Sequence, residues 1–344
     1  MEKNSKKDRK ILMREHGIPN TFEFANLLDG SSVWSFEKFK KGFSVKIVRE
    51  TPDKFELEFD LIGCNAALAN AFRRILLSEV PTIAIEKVYM FNNTSIIQDE
   101  VLSHRLGLIP LKAHPKLLEW PAGEWKQDEV DQQSTLSFEL KVTCKRNPQA
   151  PKDARRPSDI YLHHNVYSSD IKWVPLGEQH LLHPDGAKKF GPIHDDILIA
   201  KMRPGHEIHA QLYAVKGIGK DHAKFSPVAT AAYRLLPDIE IVKEVTGEAA
   251  ERLQSCFSPG VIDVKVSQGI KKAVVKDARY ESCSRNFFRH DDLKDCIKLS
   301  RVADHFIFTV ESVGALPSST IFIEAVEVLK EKCKTFLSEL EEIA

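Results

Sequence analysis

The residues most suggestive of chemistry lie in the stretch KGIGKDHAKFSP, residues 216–227. Two glycines bracket a single residue, a lysine follows, and an aspartate and a histidine are adjacent. These residues are Gly217, Gly219, Lys220, Asp221 and His222. Glycine followed by lysine occurs in loops that bind phosphate, and a carboxylate beside an imidazole could act as an acid–base pair. The stretch therefore raises the question of whether the chain is an enzyme.

The sequence lacks the full set of residues for phosphate binding and for acid–base catalysis. A phosphate-binding loop needs the pattern G-x-x-x-x-G-K-[ST], because backbone amides bind the phosphates and the hydroxyl binds magnesium. Here Asp221 replaces the hydroxyl residue and Ala214 replaces the first glycine, while G-x-G-x-x-G fails because position 222 is histidine. Adjacent side chains in a strand or tight turn point apart, so Asp221 and His222 are poor partners for each other. An enzyme that uses Lys220, Asp221 and His222 remains as an alternative.

Metal chemistry finds little support in the sequence. His194-Asp195-Asp196 could hold a hard cation, although two carboxylates before a strand are more often a solvated turn. The six cysteines are widely separated and form no C-x-x-C pair, at positions 64, 144, 256, 283, 296 and 333. Structural zinc and iron–sulfur clusters need thiolates at close spacing. We expect free thiols, no metal and no cofactor.

Composition favours a protein that associates with other proteins. Lys+Arg and Asp+Glu both number 49, so the formal net charge is zero. Independent binding to DNA or RNA needs a clustered excess of Lys and Arg, which displaces counterions. The exception is KNSKKDRK at residues 3–10, which we interpret as a basic solvated tail, with a nuclear-import signal as the alternative.

Hydrophobic periodicity predicts strands and one prominent internal helix. Residues 54–61, KFELEFDL, alternate apolar and acidic side chains as in a half-buried strand. Residues 65–81, NAALANAFRRILLSEVP, predict a helix capped by Asn65 and ended by Pro81. Residues 99–110, DEVLSHRLGLIP, predict a short helix stopped by Gly107, followed by a turn at Pro110. Further strands are predicted over 43–49, 82–91, 136–142, 160–167, 197–202, 207–215, 228–238 and 305–312, whereas residues 240–300 show no clear pattern.

A long helix is predicted over residues 318–343, with Ser318 or Ser319 as its cap. Its apolar residues recur at steps of 4, 3, 4, 3 and 4, which is the spacing of a coiled-coil seam. They are Phe322, Val326, Leu329, Cys333, Phe336 and Leu340. The seam would pack either on the chain's own sheet or on a helix of another chain.

Four segments together resemble one family, the alpha-like assembly subunits of DNA-dependent RNA polymerases. They are NAALANAFRRILLSEVPTIAIEKV (65–88), NNTSIIQDEVLSHRLGLIPL (92–111), KGIGKDHAKFSPVA (216–229) and FTVESVGALP (308–317). Their order and spacing match across roughly residues 43–340. The chain most resembles the large alpha-like subunit that eukaryotic polymerases I and III share. The polymerase II counterpart has a cysteine-rich zinc loop after HRLGLIP, and here residues 112–143 contain no cysteine.

The resemblance implies an α+β fold. Its discontinuous alpha-like dimerisation domain, a sheet plus two helices, would cover residues 41–82 and 227–344. A mostly-β domain would be inserted at 83–226, and residues 1–40 would form an N-terminal arm. The stretch at 216–227 then lies where the chain returns from the insertion, as a joint and docking surface. We expect its glycines to adopt backbone geometry closed to other residues.

The resemblance also implies a function and its partners. The chain would be a non-catalytic scaffold of polymerases I and III in the nucleus, including the nucleolus, supporting rRNA, 5S rRNA and tRNA transcription. It would heterodimerise with a smaller alpha-like subunit, anchor the second-largest and small polymerase subunits, and make little or no contact with nucleic acid or membrane. The alternative is the equivalent subunit of RNA polymerase II.

Residue roles follow from the same resemblance. The core and dimer interface would use Leu68, Phe72, Ile75, Phe322, Val326, Leu329, Phe336 and Leu340. Arg73 and Arg74 would contact the second-largest subunit. The docking joint would use Gly217, Gly219, Lys220, Asp221, His222 and Lys224, so that changing Asp221 or His222 is expected to impair assembly.

Overall fold

A computed structural model describes residues 10–17, 35–121, 130–151, 154–267 and 269–343. The strands in these ranges are β1 (Lys10–Leu12), β2 (Ser44–Glu50), β3 (Glu56–Ile62), β4 (Thr82–Asn93), β5 (Leu111–Lys112), β6 (Thr135–Thr143), β7 (Lys145–Arg146), β8 (Tyr161–Leu162), β9 (Asn165–Tyr167), β10 (Ile171–Trp173), β11 (Gly191–Pro192), β12 (Leu198–Lys201), β13 (Glu207–Gly217), β14 (Val228–Ile241), β15 (Ile262–Ser267), β16 (Ile270–Val275) and β17 (Ile297–Ser312). The helices are α1 (Phe36–Gly42), α2 (Ala66–Ser78), α3 (Asp99–Gly107), α4 (Pro157–Ile160), α5 (Gln179–Leu182), α6 (Gly186–Lys189), α7 (Glu248–Cys256) and α8 (Ser318–Ile343). The predicted α+β class is confirmed.

The chain forms two compact units, each built from separate stretches of sequence. The first comprises Met1–Arg49, Glu58–Ala71 and Ala232–Thr309. The second comprises Glu50–Leu57, Phe72–Ala231 and Val310–Ala344. The domain boundaries expected from the sequence stay a prediction.

One sheet has the strand order β1-β17-β3-β2, and β14 also pairs with β17. The antiparallel pair β1–β17 places Lys10 opposite Val302, so part of the predicted N-terminal arm adds a strand to this sheet. The remainder of that arm, residues 1–9 and 18–34, lies outside the described residues.

A cluster of charged side chains joins distant segments of the first unit. The guanidinium of Arg279 donates hydrogen bonds to Glu58 Oε1 at 2.6 and 2.9 Å and to Asp60 Oδ1 at 2.8 Å. Asp60 is largely buried, with its side chain 7% exposed, and His305 Nε2 lies 3.1 Å from its second oxygen. Removing Arg279 would leave the buried Asp60 carboxylate with only the His305 ring beside it, and an under-compensated buried charge is costly, so this cluster ties β3 to the segment around residue 279.

The second unit is organised around a four-stranded antiparallel sheet with the order β10-β6-β13-β4. Strand β13 is central and pairs with β4 and β6, so that Leu212 lies opposite Val88 on one side and Phe138 on the other. Phe138 and Leu212 are fully buried, together with Leu102 and Leu106 of α3. Residues opposite each other on neighbouring strands point to the same face of the sheet, so Phe138 and Leu212 share one face. Helix α3 covers that face with Leu102 and Leu106.

Two sequence expectations are corrected by the backbone. The strand expected over 160–167 is divided into β8 and β9, because His163 lies between them with φ of 55°, which a strand cannot contain. Ser318 is already the first residue of α8 and its hydroxyl donates to Phe55 O, so neither it nor Ser319 caps the helix. The unpatterned region 240–300 contains α7 and the hairpin β15–β16.

The cysteines in the structure are free thiols, and three of them are buried: Cys64, Cys144 and Cys256. Burial raises the pKa of the Cys64 thiol to about 11, and the Asp304 carboxylate contributes to the rise. In the described part of the chain, no helix has the length and apolar character needed to cross a membrane.

The charged cluster yields a stability prediction. Replacing Arg279 by Met removes three hydrogen bonds and leaves the buried Asp60 with His305 as its remaining charged or polar neighbour in the cluster, so the free energy of unfolding should fall by about 3 kcal/mol. Chemical denaturation measures this change. Arg289 is exposed, and Arg289→Met should change stability by less than about 0.5 kcal/mol. Equal effects of the two substitutions would contradict a structural role for the cluster.

Candidate functional site

Helix α2 begins as the sequence predicts. The side-chain oxygen of Asn65 accepts a hydrogen bond from Leu68 N at 2.9 Å, which satisfies one of the free amides at the helix start. Of the three predicted interface residues on this helix, Phe72 and Ile75 are buried and Leu68 is half-buried. Their burial within the chain assigns Phe72 and Ile75 to its own core.

The first turns of α8 are anchored within the second unit. Ser318 N donates to Lys54 O at 2.9 Å, and the side chains of Ile321 and Ala325 are buried. The half-buried ring of Phe322 packs on the ring of Phe72 with centroids 5.3 Å apart, so the structure brings together two of the predicted residues. This part of the seam packs on its own chain.

The second half of α8 is different, because every described residue from Lys330 to Ile343 is exposed. The predicted seam residues Phe336 and Leu340 are 62% and 47% exposed. Val326 is also exposed, whereas Leu329 is half-buried. The change from buried to exposed side chains along α8 separates the residues that pack on this chain from the residues that are accessible to another chain.

Three exposed apolar residues of α8 were missed in the sequence: Ile323, Leu337 and Ile343. Ile343 follows Leu340 by three residues, so extending the seam by one step would have found it. Leu337 widens the apolar surface beside Phe336. We name the exposed residues Phe336, Leu337, Leu340 and Ile343 the α8 apolar surface.

A groove of about 690 Å³ lies beside α8 in the second unit. Trp120 and Phe336 contribute exposed aromatic rings to it, and Lys216 Nζ lies 4.8 Å from the centre of the Trp120 ring. Burial lowers the pKa of the Lys216 amine, an effect that the nearby Glu324 opposes. Lys332 of α8 pairs with Glu79 at 2.8 Å, which holds the helix beside the end of α2.

The glycines of the 216–227 stretch are needed for space. A Cβ on Gly217 would lie 2.6 Å from the ring of Phe225, and one on Gly219 would lie 2.4 Å from Leu77 O. Neither glycine has a positive φ, so the expectation that they supply unusual backbone geometry is wrong. Their role is to let the chain approach α2 and Phe225 closely.

The rest of this stretch is held by hydrogen bonds to its surroundings. Lys220 N donates to Ser78 O at 2.8 Å, at the end of α2. Lys224 Nζ donates to Ile85 O at 2.8 Å and pairs with Glu86 at 2.5 Å. The ring nitrogen Nδ1 of His222 accepts from Lys224 N at 3.1 Å and so caps the short turn Ala223–Phe225. These contacts attach the stretch to the end of α2 and to β4, and its role as a docking joint stays a prediction.

The remaining predicted contacts lie on the surface. Asp221 and His222 are exposed, as is Arg74 of α2, while Arg73 is half-buried. The expected roles of these residues toward other subunits stay predictions. Among the described residues, no group of three or more His, Cys, Asp or Glu side chains is arranged to hold a metal ion.

The model of the RNA polymerase Rpb3/Rpb11 dimerisation domain family matches residues 58–333, so the chain belongs to this family. The Mus musculus protein named DNA-directed RNA polymerases I and III subunit RPAC1 is 51% identical over 338 residues, 97% of this chain and 96% of the mouse protein. The protein of the same name from Saccharomyces cerevisiae is 48% identical over 307 residues, 89% of this chain and 90% of the yeast protein. The Arabidopsis thaliana DNA-directed RNA polymerases II, IV and V subunit 3 is 30% identical over 313 residues, 89% of this chain and 92% of that protein. The resemblance seen in the four sequence segments is confirmed.

The close approach at Gly219 can be tested directly. Gly219→Ala forces the new Cβ against the Leu77 carbonyl, which must move, so the free energy of unfolding should fall by roughly 1–3 kcal/mol. Gly42→Ala is the matched control, because nothing lies within 4 Å of its Cβ position and its φ is not positive. It should be neutral or slightly stabilising. If thermal unfolding gave both variants the same midpoint, the spatial role of Gly219 would be refuted.

Proposed function

We propose that this chain is the large alpha-like assembly subunit shared by DNA-directed RNA polymerases I and III. It acts as a non-catalytic scaffold, and its smaller alpha-like partner covers the α8 apolar surface. The observation that carries the proposal is that the C-terminal half of α8 exposes large apolar side chains on a chain of the Rpb3/Rpb11 dimerisation family. The relatives named for polymerases I and III support it, since they are about half identical across nearly the whole chain.

The energetics of α8 favour a partner helix. Fully burying a large aliphatic or aromatic side chain contributes about 1.5–3 kcal/mol, so covering Phe336, Leu337, Leu340 and Ile343 supplies several kcal/mol to association. Monomeric proteins rarely leave such contiguous apolar surface exposed. The half-buried Leu329 lies at the boundary, where the chain's own packing ends.

Within the same proposal, other surfaces bind other polymerase subunits. Arg73 and Arg74 contact the second-largest subunit, because arginine binds carboxylate and carbonyl groups through two parallel hydrogen bonds. The joint from Gly217 to Lys224 is a docking surface, and its fixed position at the end of α2 suits that task. The subunit works in the nucleus, including the nucleolus, in transcription of rRNA, 5S rRNA and tRNA, while the largest subunits carry the reaction.

We also propose a discontinuous dimerisation domain, residues 41–82 and 227–344, interrupted by the mostly-β insertion 83–226. The central sheet β10-β6-β13-β4 supports the β character of the insertion. The packing of Phe72 on Phe322 supports the joining of the two separate segments.

A charge on the α8 apolar surface should prevent heterodimer formation. Leu340→Asp places a carboxylate where the partner must exclude water, so the affinity for the smaller alpha-like subunit should fall at least about tenfold. Because Leu340 is already exposed, the stability of the isolated fold should change by less than about 0.5 kcal/mol. Co-purification and light scattering measure the dimer, and thermal unfolding measures the fold.

Ser338→Asp is the control for this substitution. Ser338 lies about 200° around the helix from Leu340 and two residues before it in the same exposed half, so Asp at this position adds the same charge on the opposite face. It should leave the heterodimer intact. A heterodimer that survives Leu340→Asp, or is lost equally in both variants, would contradict the assignment of the partner surface.

Affinity capture of the tagged chain from nuclear extract tests the proposed function as a whole. Mass spectrometry should find the large subunits of polymerases I and III together with one smaller alpha-like subunit. The Leu340→Asp variant should lose all of them. Recovery of polymerase II subunits alone would overturn the assignment to polymerases I and III, and recovery of no polymerase would return the 216–227 stretch to consideration as an active site.

A further inference from the structure

Strand β2 forms an open edge of the five-stranded sheet. It is the last strand in the order β1-β17-β3-β2, so it hydrogen-bonds with β3 on one side and with no described strand on the other. All seven of its residues, Ser44–Glu50, are exposed. Alternate residues of an edge strand direct their amide and carbonyl groups away from the sheet, and these groups can pair with a further strand.

The side chains of β2 add apolar surface to both faces of this edge. Val45, Ile47 and Val48 are 48%, 62% and 43% exposed. Because successive side chains of a strand alternate between the two faces, Val45 and Ile47 point to one face and Val48 points to the other. An edge strand with exposed aliphatic side chains is suited to pairing with another chain.

Positive charge is concentrated at the same edge. Residues 36–50 contain five cations and two carboxylates. Lys46 lies in the middle of β2, whereas Lys38, Lys40 and Lys41 lie on α1, which ends just before β2 begins. These four lysines are exposed, and none of them forms an ion pair within the described residues. The segment from α1 to the end of β2 therefore carries an excess of positive charge on a chain whose net charge is zero.

Helix α1 has a fixed place at the start of β2. Phe43 N donates to Phe39 O at 2.8 Å, and the rings of these two residues stack with centroids 5.2 Å apart. The carbonyl of Gly42 lies so close to Gly63, directly after β3, that a Cβ on Gly63 would clash with it. A preformed edge of this kind loses little conformational entropy when a strand is added to it.

We propose that β2 accepts an extended acidic segment of a protein partner, which adds a strand to this sheet. Hydrogen bonds between the two backbones supply affinity, and aliphatic side chains of the partner pack on Ile47 and its neighbours. Asp or Glu residues of the partner contact Lys46 and the lysines of α1, which gives the contact its selectivity. This edge shares no residue with the α8 apolar surface, and the proposal does not depend on the proposed polymerase function.

Charge and backbone together favour this occupant over two others. A second copy of the chain would bring two sets of lysines together, and like charges on paired strands are destabilising. Single-stranded nucleic acids bind by stacking their bases on aromatic rings along a basic path, and β2 contains no aromatic residue. An acidic peptide with alternating aliphatic residues matches the backbone edge, the apolar side chains and the positive charge at once.

Fluorescence anisotropy with the full chain tests the proposal, using a short labelled peptide in which Glu and Val alternate. The unmodified chain should bind this probe, and the affinity should fall as salt is added because the charged contacts are at the surface. Lys46→Glu replaces an attraction by a repulsion and should weaken binding at least about threefold. Absence of binding by the unmodified chain would overturn the proposal.

Lys265→Glu is the matched control for the charge, because Lys265 is an exposed lysine on another strand, β15, and the net charge changes equally. It should bind the probe like the unmodified chain, and equal losses in the two variants would overturn the site. Ile47→Thr keeps a β-branched side chain and removes apolar surface, so it should weaken binding several-fold. Its control is Ile270→Thr on β16, where Ile270 is 57% exposed, and equal effects of these two variants would refute the aliphatic contact.

A methylated peptide tests the pairing of the backbones. When every backbone amide of the probe is methylated, its side chains and charges stay the same but it can no longer donate hydrogen bonds to β2. Its affinity should be at least about tenfold lower than that of the unmethylated probe. Equal affinities of the two peptides would show that no strand is added and would refute the proposal.

Two further measurements test the other occupants. Single-stranded RNA with the same number of negative charges should bind more weakly than the peptide, and tighter RNA binding that Lys46→Glu abolishes would make β2 a nucleic-acid site and the proposal wrong. Light scattering of the chain alone should show no dimer that depends on β2. A dimer that Ile47→Thr dissociates would identify a second copy as the occupant and contradict the proposal. Thermal unfolding of each variant shows whether a loss of binding reflects a loss of the fold.

Discussion

The constraint on which the rest depends is that α8 extends beyond the surface that the described residues of its own chain provide for it. Its first turns are buried through Ile321 and Ala325, but from Lys330 onward every described residue is exposed. The exposed half nevertheless keeps the apolar spacing of the buried half. Since the hydrophobic effect acts in proportion to apolar area removed from water, this exposed half is the part of the helix that we propose a second chain covers. The family of the chain, defined by dimerisation, agrees with that requirement.

The end of α2 contacts both the 216–227 stretch and α8 in the second unit. Ser78 O accepts the hydrogen bond from Lys220 N, and the adjacent Glu79 pairs with Lys332 of α8. The first contact requires the close approach that only glycine at position 219 permits. The stretch that resembles an active site in sequence thus packs on the end of α2, next to the residue that pairs with α8.

Sequence periodicity predicts elements well where one pattern continues over many residues. The alternation in β3 and the 4-3 spacing in α8 are of this kind, and both elements form where they were expected. The pattern cannot show a single residue with positive φ, so the break at His163 was missed. Residues 240–300 form short elements with too few turns or alternations to give a period. For the glycines of the joint, sequence identified their importance but not its cause, because the Leu77 carbonyl and the Phe225 ring are brought beside them only by the tertiary fold.

The net charge of the whole chain likewise cannot predict the charge of a particular surface. The formal net charge of the chain is zero, and some of its cations are paired with carboxylates, as Lys224 is with Glu86. A net charge of zero nevertheless does not exclude a local excess of one charge. The lysines at positions 38, 40, 41 and 46 form no ion pair within the described residues. Charge balance over the whole chain therefore argues against long-range attraction to nucleic acid and says nothing against a short-range contact with carboxylates. The α8 apolar surface does not depend on this balance, because we propose that it supplies affinity through buried apolar area.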